Sequence, residues 1–114
     1  MTKEEFNLIL KEGEGYRIEF KESVSNFDRE IVAFANSSGG IILLGVSDDA
    51  KIKGCSVTNK LKSQIQDIAN NCDPPVNILF EELENVMIIN VREGTNKPYK
   101  CSTGFTALPF LMAK

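Results

Sequence analysis

Four carboxylates lie close to the ends of two predicted strands and could hold a metal ion together. Glu14 and Glu19 flank the start of one strand, and Asp48 and Asp49 follow the end of another. If the two strands are neighbours in a sheet, three of these acids could meet at one edge of it. Mg²⁺ and Mn²⁺ prefer oxygen ligands. A metal held in this way can generate hydroxide and neutralise a phosphodiester transition state, which makes metal-dependent nucleic-acid cleavage one hypothesis.

Glu19 is the carboxylate whose surroundings the sequence describes best. It alternates with Arg17 and Lys21 along one face of a strand, while Ile18 and Phe20 occupy the other face. The two flanking cations would favour the ionised form of Glu19. As a metal ligand it would project from a rigid strand, with Lys21 beside the scissile phosphate. The alternative is structural: Glu19 pairs with a flanking cation, and the aspartates belong to a turn.

The elements that must position these groups are organised around residues 31–46. Apolar residues at spacings of three and four predict a helical face from Phe27 to Ala35. Asparagine, two serines and two glycines then predict the end of that helix. The apolar run Ile41–Val46 predicts a strand that is covered on both faces. Gly45 interrupts this run, so we expect another backbone or a ligand to approach closely there.

Three further elements complete the pattern, each with its own boundary signal. They are a short N-terminal helix that begins with a capping box at Thr2–Glu5, a helix that begins at Thr58 and is ended by Asp73–Pro75, and a hairpin of strands Val76–Phe80 and Val86–Val91. The sequence therefore predicts a small α+β domain, with a mixed sheet around Ile41–Val46 and two main helices packed on it.

Composition excludes several classes of function. The chain has no histidine, which rules out Ser-His and Cys-His couples and any His-ligated metal. Its three cysteines, Cys55, Cys72 and Cys101, are widely spaced and suit reduced thiols better than a disulfide framework or a zinc site. No P-loop motif occurs, and the two glycines follow a helix rather than precede one. No apolar run is long enough to span a bilayer, so we expect a cytoplasmic protein without a membrane partner.

Basic residues on strands and turns make nucleic acid a second candidate partner. The formal net charge is −3, but local patches decide whether a protein binds phosphates. The candidate contacts are Arg17, Lys21, Lys51, Lys53, Lys97 and Lys100. The alternative is that these charges are scattered over a solvated surface.

Four segments in order resemble the Schlafen/AlbA-2 family. They are Arg-Ile-Glu-Phe-Lys-Glu-Ser from residue 17, Ala-Phe-Ala-Asn-Ser-Ser-Gly-Gly-Ile-Ile-Leu-Leu-Gly-Val-Ser-Asp-Asp from residue 33, Ile-Lys-Gly from residue 52, and Asn-Lys-Pro-Tyr from residue 96. The resemblance implies an Alba-like fold: a small mixed sheet with two helices packed on it. It also implies a DNA-binding module, at the N-terminus of bacterial transcriptional regulators or helicase-like proteins, that needs no cofactor to bind.

The same resemblance implies a second, enzymatic possibility. Animal Schlafen proteins carry a metal-dependent RNA endonuclease site of two glutamates and one aspartate on this module. The matching positions here are Glu14, Glu19 and Asp49. If the chain is an enzyme, the resemblance makes it a nuclease with Mg²⁺ or Mn²⁺ on these three residues.

The end of the chain departs from the family pattern. The family-like domain is predicted to cover residues 1–100, and residues 101–114 form an atypical tail without the arginine that the family carries there. This departure suggests a truncated chain from which effector domains are missing. Exposed sheet edges and a short C-terminus also allow a third function, homodimerisation or another interaction between chains.

Overall fold

The computed structural model describes residues 1–101 and confirms the α+β class. The described elements, in chain order, are α1 (Lys3–Glu12), β1 (Ile18–Lys21), α2 (Phe27–Asn36), β2 (Gly40–Leu44), α3 (Asn59–Asn70), β3 (Ile78–Leu83) and β4 (Val86–Val91). The predicted tail from residue 102 onward lies outside the described residues.

The four strands form one mixed sheet in the order β1-β2-β4-β3. β2 runs parallel to β1 and antiparallel to β4, and β3 pairs antiparallel with β4. The strand predicted over Ile41–Val46 is therefore central, although its ladder ends at Leu44. Parallel neighbours need a long crossover, and α2 provides it between β1 and β2.

Two hydrophobic clusters lie on opposite faces of the sheet. The larger cluster contains the buried faces of α2 and α3 together with Ile42 and Leu44 of β2. The smaller one joins Phe6 of α1 to Phe20 and Leu43. Because neighbouring residues of a strand point to opposite faces, a strand covered on both sides must be apolar at every position. This double cover explains the unbroken apolar run of β2.

Local signals set the element boundaries much as predicted. Thr2 and Glu5 form a reciprocal capping box at the start of α1, and the Thr58 hydroxyl accepts a hydrogen bond from Leu61 N–H at the start of α3. Glu84 and Asn85 have φ values of 55° and 61°. Two consecutive residues with positive φ match the twist of a tight hairpin, which joins β3 to β4.

A buried asparagine fastens the Lys97–Tyr99 segment to the end of α2. Asn36 is 4% exposed, and its amide donates to Tyr99 O at 3.0 Å and accepts from Tyr99 N at 2.6 Å. The Tyr99 hydroxyl accepts hydrogen bonds from the backbone N–H groups of Thr95 and Asn96. One side chain thus satisfies two buried backbone groups that have no strand partner.

Candidate nucleic-acid interface

The structure brings two of the predicted acidic residues together. Glu14 lies in the turn before β1, where its carboxylate accepts a hydrogen bond from Phe20 N–H at 2.8 Å. This bond draws the Glu14 side chain against β1, where it also hydrogen-bonds the Glu19 carboxyl. Two carboxyl groups in contact favour a proton shared between them.

At Glu19, burial outweighs the effect expected of the flanking cations. Burial raises the pKa of Glu19 to about 7, with further contributions from the charges of Glu30 and Glu14, while Lys21 lowers it only in part. By strand alternation, Glu19 shares its face of the sheet with Ile42, which α2 and α3 cover. The charged row of β1 is therefore half-buried rather than fully solvated. Glu30 of α2 was missed because sequence spacing does not show which helix residues lie over which strand.

Asp49 belongs to a tight turn. It accepts a short hydrogen bond from the Ser47 hydroxyl, and its carboxylate lies 3.7 Å from Lys51 Nζ. The Ser47 hydrogen bond, followed by its own backbone N–H and the Lys51 and Lys53 charges, lowers the pKa of Asp49. Its surroundings are those of an exposed turn carboxylate that is already hydrogen-bonded.

The three predicted metal ligands do not fit a metal centre in this arrangement. Among residues 1–101, no group of three or more Asp, Glu, Cys and His side chains is placed to hold a metal ion. Glu14 and Glu19 supply two neighbouring carboxyl groups, whereas Asp49 is bound within its own turn. The Mg²⁺- or Mn²⁺-dependent nuclease stays a prediction that rests on the family resemblance.

Most of the predicted phosphate-binding cations already have a partner. Four lysines bond to nearby oxygen atoms: Lys21 to Ser25 O at 2.5 Å, Lys51 to Asp49 at 3.7 Å, Lys97 to Glu93 at 2.8 Å and Lys100 to Asp73 at 3.8 Å. Arg17 donates through Nε to Gly39 O at 3.3 Å. Within the described part of the chain, the Lys53 side chain has no hydrogen-bond or ion-pair partner.

A second set of lysines extends the surface around Lys53. Residues 50–66 contain four lysines and no acid, and two of them, Lys60 and Lys62, stand at the start of α3. Neither has an ion-pair partner within residues 1–101. An open groove of about 660 Å³ lies at Lys53 and is lined by residues 53–58, Glu82 and Asn85. The acid-free run is visible in the sequence. Lys60 and Lys62 were not among the predicted contacts because only basic residues on strands and turns were considered.

A larger groove lies at the opposite end of β2. It has a volume of about 790 Å³ and is lined by Arg17, Arg92, Glu81, Glu93 and a strip of strand residues that includes Leu79. Arg92 is exposed and, among residues 1–101, has no hydrogen bond or ion pair from its side chain. Sequence reasoning missed Arg92 because it stands alone after an apolar strand.

The helices and the mixed sheet make this a small α+β domain with two basic surfaces. Comparison with known proteins gives its family. Residues 14–107 match the family described as Schlafen, AlbA_2. The chain belongs to this family, as its motifs indicated. Family membership suggests a nucleic-acid-related domain and does not specify which nucleic acid.

Several solved structures share the fold. The DIP2311 protein of Corynebacterium diphtheriae superposes with a TM-score of 0.59 and 14% identity, over 88% of this chain and 23% of that one. The chain therefore spans about a quarter of the length of that protein. No curated protein matches the sequence. No helix within residues 1–101 is both long and apolar enough to cross a bilayer.

Proposed function

We propose that this chain is a nucleic-acid-binding module, with DNA as the expected ligand, and that its phosphate contacts come from the 50–66 segment. The observation that carries the proposal is the acid-free run of four lysines in this segment. Three of them, Lys53, Lys60 and Lys62, have no ion-pair partner within residues 1–101. Membership in the Schlafen AlbA_2 family supports the same function.

The groove at Lys53 offers several donors to a phosphate backbone, and Glu82 is the one acidic residue in its lining. Exposed Ser56 and Thr58 line it together with Lys53, so hydroxyl donors stand next to an ammonium group. Lysines without a partner lose no ion pair when they bind phosphate, whereas paired lysines such as Lys97 must first give one up. Each phosphate contact releases a condensed counterion, so affinity should fall steeply as salt rises.

The test is fluorescence anisotropy with labelled duplex DNA, single-stranded DNA and RNA over a salt series. We expect Lys53→Gln to weaken binding to every sequence and to lower the slope of log affinity against log salt by about 1. Lys11→Gln is the matched control, because Lys11 is an exposed lysine of α1 without an ion-pair partner in the described chain. Equal effects of the two substitutions, or no binding at low salt, would refute the proposal.

We extend the proposal to the setting that the family resemblance implies, a transcriptional regulator in which further domains accompany this module. A module that binds phosphates without reading bases needs a partner domain for regulation, since phosphate contacts carry no sequence information. The test is the coding sequence around this module in its genome. A reading frame with no second domain would count against the regulator and leave the binding module intact.

A further inference from the structure

The larger groove combines an apolar floor with cations at one end. Its floor follows one register row of the sheet, in which Ile41 pairs with Asn90 and Asn90 with Leu79. Ile18, which pairs with Ile41, continues the row onto β1 beyond the groove lining. These side chains share the sheet face on which α1 packs. Leu79 is 54% exposed, so α1 leaves this end of the face uncovered.

The charges around this row favour an anionic ligand. Glu81 is bonded to the N-terminal amine and to Asn90, and Glu93 is bonded to Lys97 Nζ at 2.8 Å. Both carboxylates that line the groove are therefore paired with cations, and the charge of Arg17 also acts on Glu93. Arg92 has no hydrogen bond or ion pair from its guanidinium within residues 1–101. The Arg17 guanidinium donates one hydrogen bond, from Nε to Gly39 O. Several guanidinium N–H donors stay available, and guanidinium groups bind phosphate well.

An exposed aromatic ring stands beside the same end of the groove. Tyr16 precedes Arg17, is 73% exposed, and accepts a hydrogen bond from the Ser38 hydroxyl at 3.2 Å. Exposed aromatic rings and aliphatic surface can contact the faces of nucleic-acid bases. Those faces are accessible only in an unpaired strand, because base pairing and stacking hide them in a duplex.

We propose that this groove binds an extended single strand of nucleic acid, with phosphates at Arg17 and Arg92 and base faces over Ile41 and Leu79. This inference rests on the proposed nucleic-acid binding and adds a second surface that distinguishes an unpaired strand from a duplex. From β1 to β3 the row spans roughly 14 Å, at about 4.8 Å between neighbouring strands. A short oligonucleotide can therefore lie across the sheet, while the lysines of the 50–66 segment remain free to contact a duplex.

The test compares oligothymidylate, oligouridylate and duplex DNA in anisotropy assays with two groove variants. Arg92→Gln removes the cation, and Leu79→Thr removes apolar surface while keeping strand propensity. Leu8→Gln is the matched control, since Leu8 is 53% exposed on α1, away from the groove lining. We expect each groove variant to weaken single-strand binding by about threefold to tenfold and duplex binding by less than about twofold.

Amide shift mapping separates this inference from the proposed function. Single-strand titration should move the Ile18, Ile41, Asn90 and Leu79 signals. If only the 50–66 signals move, or if Leu79→Thr has no effect, the groove inference is refuted and the proposed function stands. Equal loss of single-strand and duplex binding in Arg92→Gln also refutes the inference. If no oligonucleotide binds but an oligoglutamate peptide does, the groove recognises an acidic protein segment and both proposals are refuted.

Discussion

Replacing Glu19 by glutamine should stabilise the protein at mildly alkaline pH. The pKa of this carboxyl is raised from an ordinary 4.5 to about 7 by burial and by the charges of Glu30 and Glu14. Between these two values the folded state holds a proton that the unfolded state releases. The free energy of unfolding therefore falls as pH rises through this window, and the loss is complete above about pH 7. Glutamine is neutral at every pH and can still donate a hydrogen bond to Glu14.

The size of this effect follows from the pKa and from the exposure of the group. At roughly 1.4 kcal/mol per pH unit, a pKa raised by this amount corresponds to about 3 kcal/mol against the charged form. Glu19 is only half-buried, so solvent screening reduces this to about 1 kcal/mol. For a domain of this size we expect Glu19→Gln to raise the Tm by about 4 °C at pH 8, with almost no gain near pH 4.5.

Urea and thermal unfolding from about pH 4.5 to about pH 8.5 measure the difference. Glu22→Gln is the control, because Glu22 is an exposed glutamate just beyond the same strand. If the free energies of unfolding of the wild type and Glu19→Gln change in parallel with pH, Glu19 does not have a raised pKa in the folded state and the prediction is refuted. A variant that is less stable at pH 8 would instead support the original expectation that flanking cations stabilise an ionised Glu19.

The same variant tests the metal-dependent nuclease. If Glu14, Glu19 and Asp49 bind Mn²⁺, the metal should raise the Tm of the wild type and not that of Glu19→Gln, since a ligand stabilises the state that binds it. The structure predicts no such difference, because the third carboxylate is bound within its own turn. RNA cleavage that requires Mn²⁺ and is lost in the variant would contradict this prediction.

Three further results are expected. Asn36→Ala should lower the free energy of unfolding by about 2–4 kcal/mol, measured by urea denaturation, because the buried N–H and C=O of Tyr99 lose their partner. Gly40→Ala should cost about 1–3 kcal/mol, because an added Cβ would lie 2.4 Å from the Phe34 ring. Phe34→Leu should recover part of this loss, and Gly15→Ala, where nothing lies within 4 Å, should be nearly neutral. Sedimentation velocity at high concentration should show dimers if exposed sheet edges pair between chains, and a monomer would exclude that interaction.

The fold was more predictable from the sequence than the environment of the acids. The unbroken apolar run of β2, the capping box of α1 and the proline residues after α3 each depend on neighbours along the chain, so sequence spacing was enough to predict them. The surroundings of Glu19 depend on Glu30, eleven residues away on the helix that crosses over β1. Alternation showed correctly that Glu19 and Phe20 face opposite sides. It could not show that Glu30 of α2 lies near Glu19 on the charged side of β1.

The glycines at the two ends of β2 show where prediction from sequence stops. Gly45 was expected to admit a close neighbour, and the neighbour is the Gly54 backbone, which an added Cβ would approach to 3.1 Å. The Gly45 carbonyl accepts hydrogen bonds from the N–H groups of Lys53 and Gly54, so this close approach fixes the start of the lysine-rich surface. At the other end, Gly40 pairs with Val91 between the positions of Arg17 and Arg92. The two basic surfaces therefore lie at opposite ends of β2, one at Gly40 and the other at Gly45.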